Sequence, residues 1–206
     1  MIRKNIVIFI SGEGTNMLSI IKAAKKSNYP AKIIGVVSDN PRANGLVKAQ
    51  KEKIPTYSIP YEDYLSKTEH EKIILSHLSS IKPDLICLAG YMRLLSENFV
   101  ESYKNQIINI HPSLLPLFPG LHTHRRVLKK GLKITGCTVH IVTKKMDEGL
   151  IIAQAAVPIL SNDTEESLSQ KVLSAEHILY PLAIEYMITG KKFKYNNHNY
   201  QIIGIG

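Results

Sequence analysis

The sequence predicts an α/β protein built on a Rossmann-like, doubly wound and mostly parallel sheet, with an antiparallel addition near its C-terminus. Three observations point there. Short runs rich in Ile and Val alternate with longer segments of helical period, the pattern of parallel strands joined by crossover helices. Late in the chain two apolar runs are separated by so short a turn that they must pair antiparallel. Finally, 206 residues with 44% hydrophobic and 21% charged content form an ordinary globular composition. A chain of that size buries roughly 70% of its unfolded surface, so it needs neither disulfides nor a structural metal for stability.

Each element follows from its local pattern. Buried strands are predicted at residues 6–10, 33–37, 85–89 and 107–110, with helices at 17–26, 45–53, 69–81 and 97–103. After a loop at 112–123, a helix covers 125–130. Strands at 137–143 and 151–159 flank the turn 144–150. The last long element is a helix over 165–187, where Leu168, Val172, Ala175, Leu179, Leu182 and Tyr186 recur at steps of three and four and so share a buried face. Ser161-Asn162-Asp163-Thr164 supplies capping chemistry ahead of Glu165 and Glu166, and Pro181 is expected to kink the helix. No internal repeat or linker divides the chain, so one domain is expected.

Lys and Arg number 26 against 17 Asp and Glu, a formal charge of +9 that suits an anionic partner. Cys87 and Cys137, the only cysteines, sit in apolar runs and read as core residues of a reducing compartment. The five apolar residues after Arg3 and Lys4 are too few for a signal peptide, and no apolar run reaches membrane-spanning length. A cytoplasmic location is expected, with no membrane partner. The basic clusters at Lys25-Lys26, Lys129-Lys130 and Lys191-Lys192 are scattered and lack an aromatic platform, so a solvated surface is favoured over nucleic-acid binding.

Two constellations carry chemistry. Ser11-Gly12-Glu13-Gly14-Thr15-Asn16 lies between a buried strand and a helix, where free backbone N–H groups and the helix dipole favour an anion. Met17 stands where the dinucleotide fingerprint needs a third glycine and the Walker pattern is absent, so a single phosphate group fits better than a pyrophosphate. Asp39, after the second strand, is discounted as a ribose ligand for the same reason. A tight strand-to-helix turn capped by Thr15 or Asn16 would explain the same loop. The second constellation is Asn109-Ile110-His111-Pro112. A period of two puts Asn109 and His111 on one face at a strand end, and an amide beside an imidazole suits a developing oxyanion and a proton transfer. Asp147 sits in the turn 144–150; if the hairpin folds over the strand end it pairs with His111 and favours the imidazolium. His122 and His124 read as loop and helix-start residues, without a third metal ligand.

These segments, with Leu88-Ala89-Gly90-Tyr91-Met92-Arg93-Leu94-Leu95-Ser96, Pro119-Gly120-Leu121-His122-Thr123-His124 and Ala175-Glu176-His177, resemble the phosphoribosylglycinamide formyltransferases, the folate-dependent transformylases of purine synthesis. The resemblance spans nearly the whole chain. It implies a formyltransferase fold over residues 1–206, with a nucleotide- and phosphate-binding half at 1–105 and a catalytic and folate-binding half at 106–206. It also implies 10-formyltetrahydrofolate as cosubstrate without a metal, glycinamide ribonucleotide as acceptor, and a monomer or weak homodimer. On matching positions, His111 resembles the catalytic proton donor, Asn109 the amide that binds the formyl group, and Asp147 the acid that raises the pKa of the histidine. Gly14, Thr15 and Asn16 match the loop that grips the substrate phosphate, with Thr15 in place of the usual Ser. Glu176 matches an acid near the ribose and glycinamide, although a charge flanking the buried face of its helix reads the same way. Met92, Arg93, Leu94 and Leu95 match the folate-pocket segment, and Lys67 falls where an Arg often meets the folate; Lys keeps the charge but loses the bidentate geometry. Methionyl-tRNA formyltransferase and formyltetrahydrofolate deformylase share Asn-x-His-Pro-Ser-Leu-Leu-Pro. The Pro-Gly-Leu-His-Thr-His continuation and the length of 206 residues favour the purine enzyme over both.

Overall fold

The computed structural model describes residues 2–196 and 201–204; residues 1, 197–200 and 205–206 of the expected 1–206 domain lie outside the described residues. The chain divides into two compact units, Met1–Asn109 and Ile110–Gly206.

The first unit runs β1 (Lys4–Ile10), α1 (Thr15–Ala24), β2 (Ala31–Ser38), α2 (Asn44–Lys51), β3 (Thr56–Ser58), α3 (Lys67–Ile81), β4 (Leu85–Leu88), α4 (Glu97–Ser102) and the start of β5 (Ile107–His111). Its strands lie in the order β3-β2-β1-β4-β5, all parallel. Ile6 to Ile10 on β1 are completely buried, as a central strand covered on both faces requires. Met17, Ile20 and Ile21 from α1, Ile74 and Leu78 from α3, and Phe99 from α4 pack into the same core. The strand order reverses at β1, with β2 on one side and β4 on the other. In open sheets of this kind, ligands bind outside the carboxyl ends of the strands at that switch point. The loops that leave β1 and β4 meet there, where Ser11 N–H donates to the Gly90 carbonyl at 3.1 Å.

The second unit takes up the chain at Ile110 and holds α5 (Thr123–Lys129), β6 (Ile134–Ile141), β7 (Ile151–Pro158), α6 (Glu165–Thr189), β8 (Lys194–Asn196) and β9 (Gln201–Gly204). Here the order is β6-β7-β9-β8, every pair antiparallel, which agrees with the short 144–150 connection. Of the α6 face predicted from its periodicity, Leu168, Val172, Ala175 and Leu179 are sealed from solvent, whereas Leu182 and Tyr186 are only half-buried; beyond Leu179 the buried positions are Tyr180, Pro181, Ala183 and Ile184. Its start is closed by a reciprocal box, with Ser167 N–H donating to Thr164 Oγ1 at 3.2 Å and Thr164 N–H to Ser167 Oγ at 3.0 Å. The helix continues through Pro181 to Thr189. Cys87 and Cys137 are buried free thiols. No helix among the described residues is long and apolar enough to cross a membrane.

Three strands escaped the sequence reading. β3 and β8 have three residues each and β9 four, too short to show a period. A second difference concerns the start of α1. Its N-cap is Gly14, with φ +68°, and no side chain caps it, so neither Thr15 nor Asn16 plays that part.

Candidate active site

Strand β5 ends at His111, which Pro112 holds out of a helix. His111 is 7% exposed, and Asn109, two residues earlier, is half-buried. The loop that follows is tied down by its own side chains. Ser113 Oγ donates to the carbonyls of Leu117 (2.7 Å) and Phe118 (3.1 Å), while Thr138 on β6 donates to the Ser113 carbonyl (2.7 Å) and accepts from Leu115 N–H (3.0 Å). The Phe118 carbonyl also accepts from His111 Nε2 at 3.0 Å. A carbonyl only accepts, so Nε2 carries a hydrogen and Nδ1 is the nitrogen that faces Asp147, 3.5 Å from Oδ2.

The hairpin between β6 and β7 does fold over this strand end. Ile141 N–H donates to the Leu150 carbonyl at 2.9 Å, and Gly149 lies so close beneath it that a Cβ there would stand 1.7 Å from the Ile141 carbonyl oxygen. Asp147 takes a positive φ of 57° in the turn, and its carboxylate is 9% exposed. Gly120 N–H donates to Oδ2 at 2.8 Å. On the other side His140 Nε2 lies 3.6 Å from Oδ1, its Nδ1 donating to the Ile141 carbonyl at 2.9 Å. Burial pushes the pKa of His140 below its ordinary value, with smaller opposing contributions from that carbonyl and from Asp147. A buried carboxylate thus stands between two imidazoles, in one of which burial disfavours the charged form.

His140, Gly120 and the Phe118 carbonyl were not singled out from sequence. The available signal for His140 was the one titratable imidazole inside a strand otherwise free of charged residues, the kind of buried polar group that calls for explanation. His122 is the exposed, positive-φ N-cap of α5 and His124 opens that helix, as expected. His124 is held below the ordinary histidine range by burial. Among the described residues no group of three or more His, Cys, Asp or Glu is arranged to hold a metal. Glu176 is not a solvated flank of α6: it is 6% exposed, and its charge joins the stronger effect of burial in pushing the Cys137 thiol up.

In the first unit, Gly14 admits no side chain, because a Cβ would come within 2.9 Å of Gly45 Cα at the start of α2. Gly45 N–H in turn donates to the Gly12 carbonyl at 3.0 Å, which holds the loop against α2. Thr15 and Asn16 form the first turn of α1, so their backbone N–H groups lie at its positive end. Asp39 is engaged by protein. Ser11 Oγ donates to its Oδ1, and Arg93 Nε to Oδ2 at 3.0 Å. Both carboxylate oxygens of Asp39 are thus engaged within the protein, in keeping with the expectation that it is not a ribose ligand.

Arg93 also stacks over Tyr61, 4.0 Å from the ring centroid, and Met92 N–H donates to Ser11 Oγ at 2.9 Å. A cleft of about 290 Å³ opens here, lined by Lys67, Met92, Arg93 and Leu94 with Tyr61 and Glu71 among their neighbours. Met92 and Leu94 are 64% and 63% exposed, so the cleft presents apolar surface to solvent. Lys67 reaches the cleft with Nζ 4.0 Å from the buried Glu71. Leu95 follows the lining residues and is half-buried, and the next residue, Ser96, donates its N–H to Glu71 Oε1 at 2.8 Å.

A family model described as Formyl transferase matches residues 4–184. The chain is 38% identical to the phosphoribosylglycinamide formyltransferase of Escherichia coli (strain K12), over 94% of this chain and 91% of that protein. It is 44% identical to the trifunctional purine biosynthetic protein adenosine-3 of Gallus gallus, over 90% of this chain but only 18% of that much longer protein. Among solved structures, the phosphoribosylglycinamide formyltransferase from Brucella melitensis superposes with a TM-score of 0.88 at 55% identity, covering 92% of this chain and 97% of that one. Glycinamide ribonucleotide transformylase 1 from Symbiobacterium toebii gives 0.89 at 39% identity, covering 98% and 94%.

Proposed function

Because this chain belongs to the formyl transferase family, we propose that it transfers the formyl group of 10-formyltetrahydrofolate to the amine of N1-(5-phospho-D-ribosyl)glycinamide, releasing tetrahydrofolate and the N-formyl product, as a cytoplasmic enzyme of de novo purine synthesis. The observation that carries the reading is the buried His111–Asp147 pair at the end of β5, its two partners fixed by Phe118 and Gly120.

The substrate amine attacks the formyl carbon, a C–N bond forms, and the carbonyl electron pair moves onto oxygen. Asn109 and His111 stabilise that oxyanion, and Asp147, facing Nδ1, orients the imidazole. When the tetrahedral intermediate collapses, the bond to folate N10 breaks. The proton lost by the amine is delivered to that nitrogen through His111 and water. The Nε2 hydrogen rests on the Phe118 carbonyl, so engaging the formyl oxygen through Nε2 exchanges one carbonyl acceptor for another. No covalent enzyme intermediate is required, and much of the acceleration comes from holding two substrates together, up to ~7–11 kcal/mol in well-oriented systems.

In this reading Gly14, Thr15 and Asn16 grip the ribonucleotide phosphate at the start of α1. Glu176 meets the ribose and glycinamide portion, and the segment Met92 to Leu95 with Lys67 takes the folate. All 206 residues serve as one formyltransferase domain, a monomer or weak homodimer without a metal. The test is a two-substrate assay on the purified chain. Tetrahydrofolate is expected only when both glycinamide ribonucleotide and 10-formyltetrahydrofolate are present. Release of formate without the acceptor would make the protein a deformylase, and formylation of methionyl-tRNA would make it the tRNA enzyme.

A further inference from the structure

The second unit carries another cleft, of about 420 Å³, lined by Phe118, Arg126, Lys129 and Lys130. We propose that it is a binding site for a polyphosphate anion, either free or carried by a nucleoside. Its volume lies in the range of small-molecule sites. Three of its four lining side chains are cationic, and among the described residues none of the three pairs with a carboxylate. Other lysines of the same unit do pair, Lys145 with Glu148 at 3.1 Å and Lys171 with Asp163 at 2.7 Å. Three like charges converging on one concavity without a counter-charge repel one another, and a multiply charged anion relieves that repulsion.

The ordinary explanation for cations in the last turn of a helix is its negative end. Here the carbonyls of Arg126, Val127 and Leu128 take backbone donors, Lys130 N–H at 3.1 Å, Leu132 N–H at 3.3 Å and Gly131 N–H at 2.9 Å, and among the described residues neither ammonium group is hydrogen-bonded to the protein. Arg126 spends Nη1 on the carbonyls of Pro119 and Leu121 and lies 5.3 Å over the Phe118 ring. Its remaining N–H donors form part of the planar fork that matches phosphate oxygens.

Occupancy reaches the catalytic pair through the same arginine. The carbonyls it holds flank Gly120, whose N–H binds Asp147, and Phe118 accepts from His111. An anion that draws Arg126 toward the cleft therefore loosens the loop that fixes both partners. This effect on turnover rests on the function proposed above, whereas binding does not.

Calorimetric titration of the full chain at about 0.15 M salt, where only close charge contacts survive screening, tests the site with inorganic tripolyphosphate and adenosine triphosphate in parallel. Saturable binding is expected, weakened at least ~10-fold by the double substitution Lys129→Ala and Lys130→Ala, with turnover in the absence of anion unchanged. Lysine acylation followed by mass spectrometry should show Lys129 and Lys130 protected by the anion and Lys145 not. Tighter binding of the nucleotide would identify a nucleoside polyphosphate as the ligand, and equal binding a free polyphosphate. Absence of saturable binding by either probe, or affinity unchanged in the double variant, overturns the proposal, and neither result depends on formyl transfer.

Discussion

The two nitrogens of His111 have different partners, and the side chains around them can be separated by substitution. Nε2 is held on the Phe118 carbonyl and Nδ1 faces Asp147. In the proposed mechanism, replacing His111 with Ala removes the proton carrier, and Asp147→Asn removes the charge that orients it. Each is expected to lower kcat by ~100-fold or more with an unchanged circular-dichroism spectrum; near wild-type rates in both would remove these residues from the mechanism. Asn109→Ala takes away one oxyanion donor of the proposed mechanism and should cost on the order of 3 kcal/mol in kcat/KM. Asn109 and His111 were legible because their relation is local: a period of two, a strand end and a following proline. Asp147 was legible as a turn acid, and its partnership followed only if the hairpin folded back. The contributions of Gly120 and His140 were not legible, because they depend on which loop lies against the carboxylate and on the register of β6 with β7, which slips between Val139 and His140. Nothing local in the sequence encodes that slip.

At the scale of elements, the long ones announced themselves and the short ones did not. Strand β1 and helices α3 and α6 have enough residues to display a period, whereas β3, β8 and β9 owe their existence to the edges they pair with. The turn after β6 shows how an element positions chemistry. Gly149→Ala would drive a methyl group into the Ile141 carbonyl, which is backbone and cannot rotate away. The turn must shift and carry Asp147 with it, so kcat is expected to fall by at least the ~100-fold that a ~1 Å misplacement costs, with β6 and β7 retained by circular dichroism. Full activity in this variant would mean that the turn tolerates displacement and that Asp147 is not positioned by it. The box at the start of α6 acts on stability instead. Thr164→Ala leaves Ser167 N–H without its acceptor and should cost about 1 kcal/mol in urea unfolding, with kcat unchanged.

For the molecule as a whole, pH is the lever that its histidines make available. His77, His124, His140 and His177 are each held below the ordinary value by burial, spread over both units. In the unfolded chain each titrates near about 6.5. Between that value and the lower folded one, the unfolded state binds more protons than the native state. Stability therefore falls as pH falls through this window and is insensitive to these groups above it. The carboxylates of Asp84 and Asp163, lowered by a backbone donor and by Lys171 respectively, contribute in the same direction but only at more acid pH, below the unfolded carboxylate value of about 3.9. The melting temperature is accordingly expected to drop between pH 7.5 and pH 5.5, with net proton uptake on unfolding measured by calorimetry in buffers of different ionisation enthalpy. Rising positive charge on a chain that already carries +9 would produce a similar trend. Salt separates the two causes, since about 0.5 M salt screens repulsion between surface charges but does not restore the hydration that a buried imidazolium loses. A drop that persists at high salt assigns the acid sensitivity to the buried histidines; one that vanishes assigns it to net charge, and a melting temperature that stays flat or rises toward pH 5.5 excludes both.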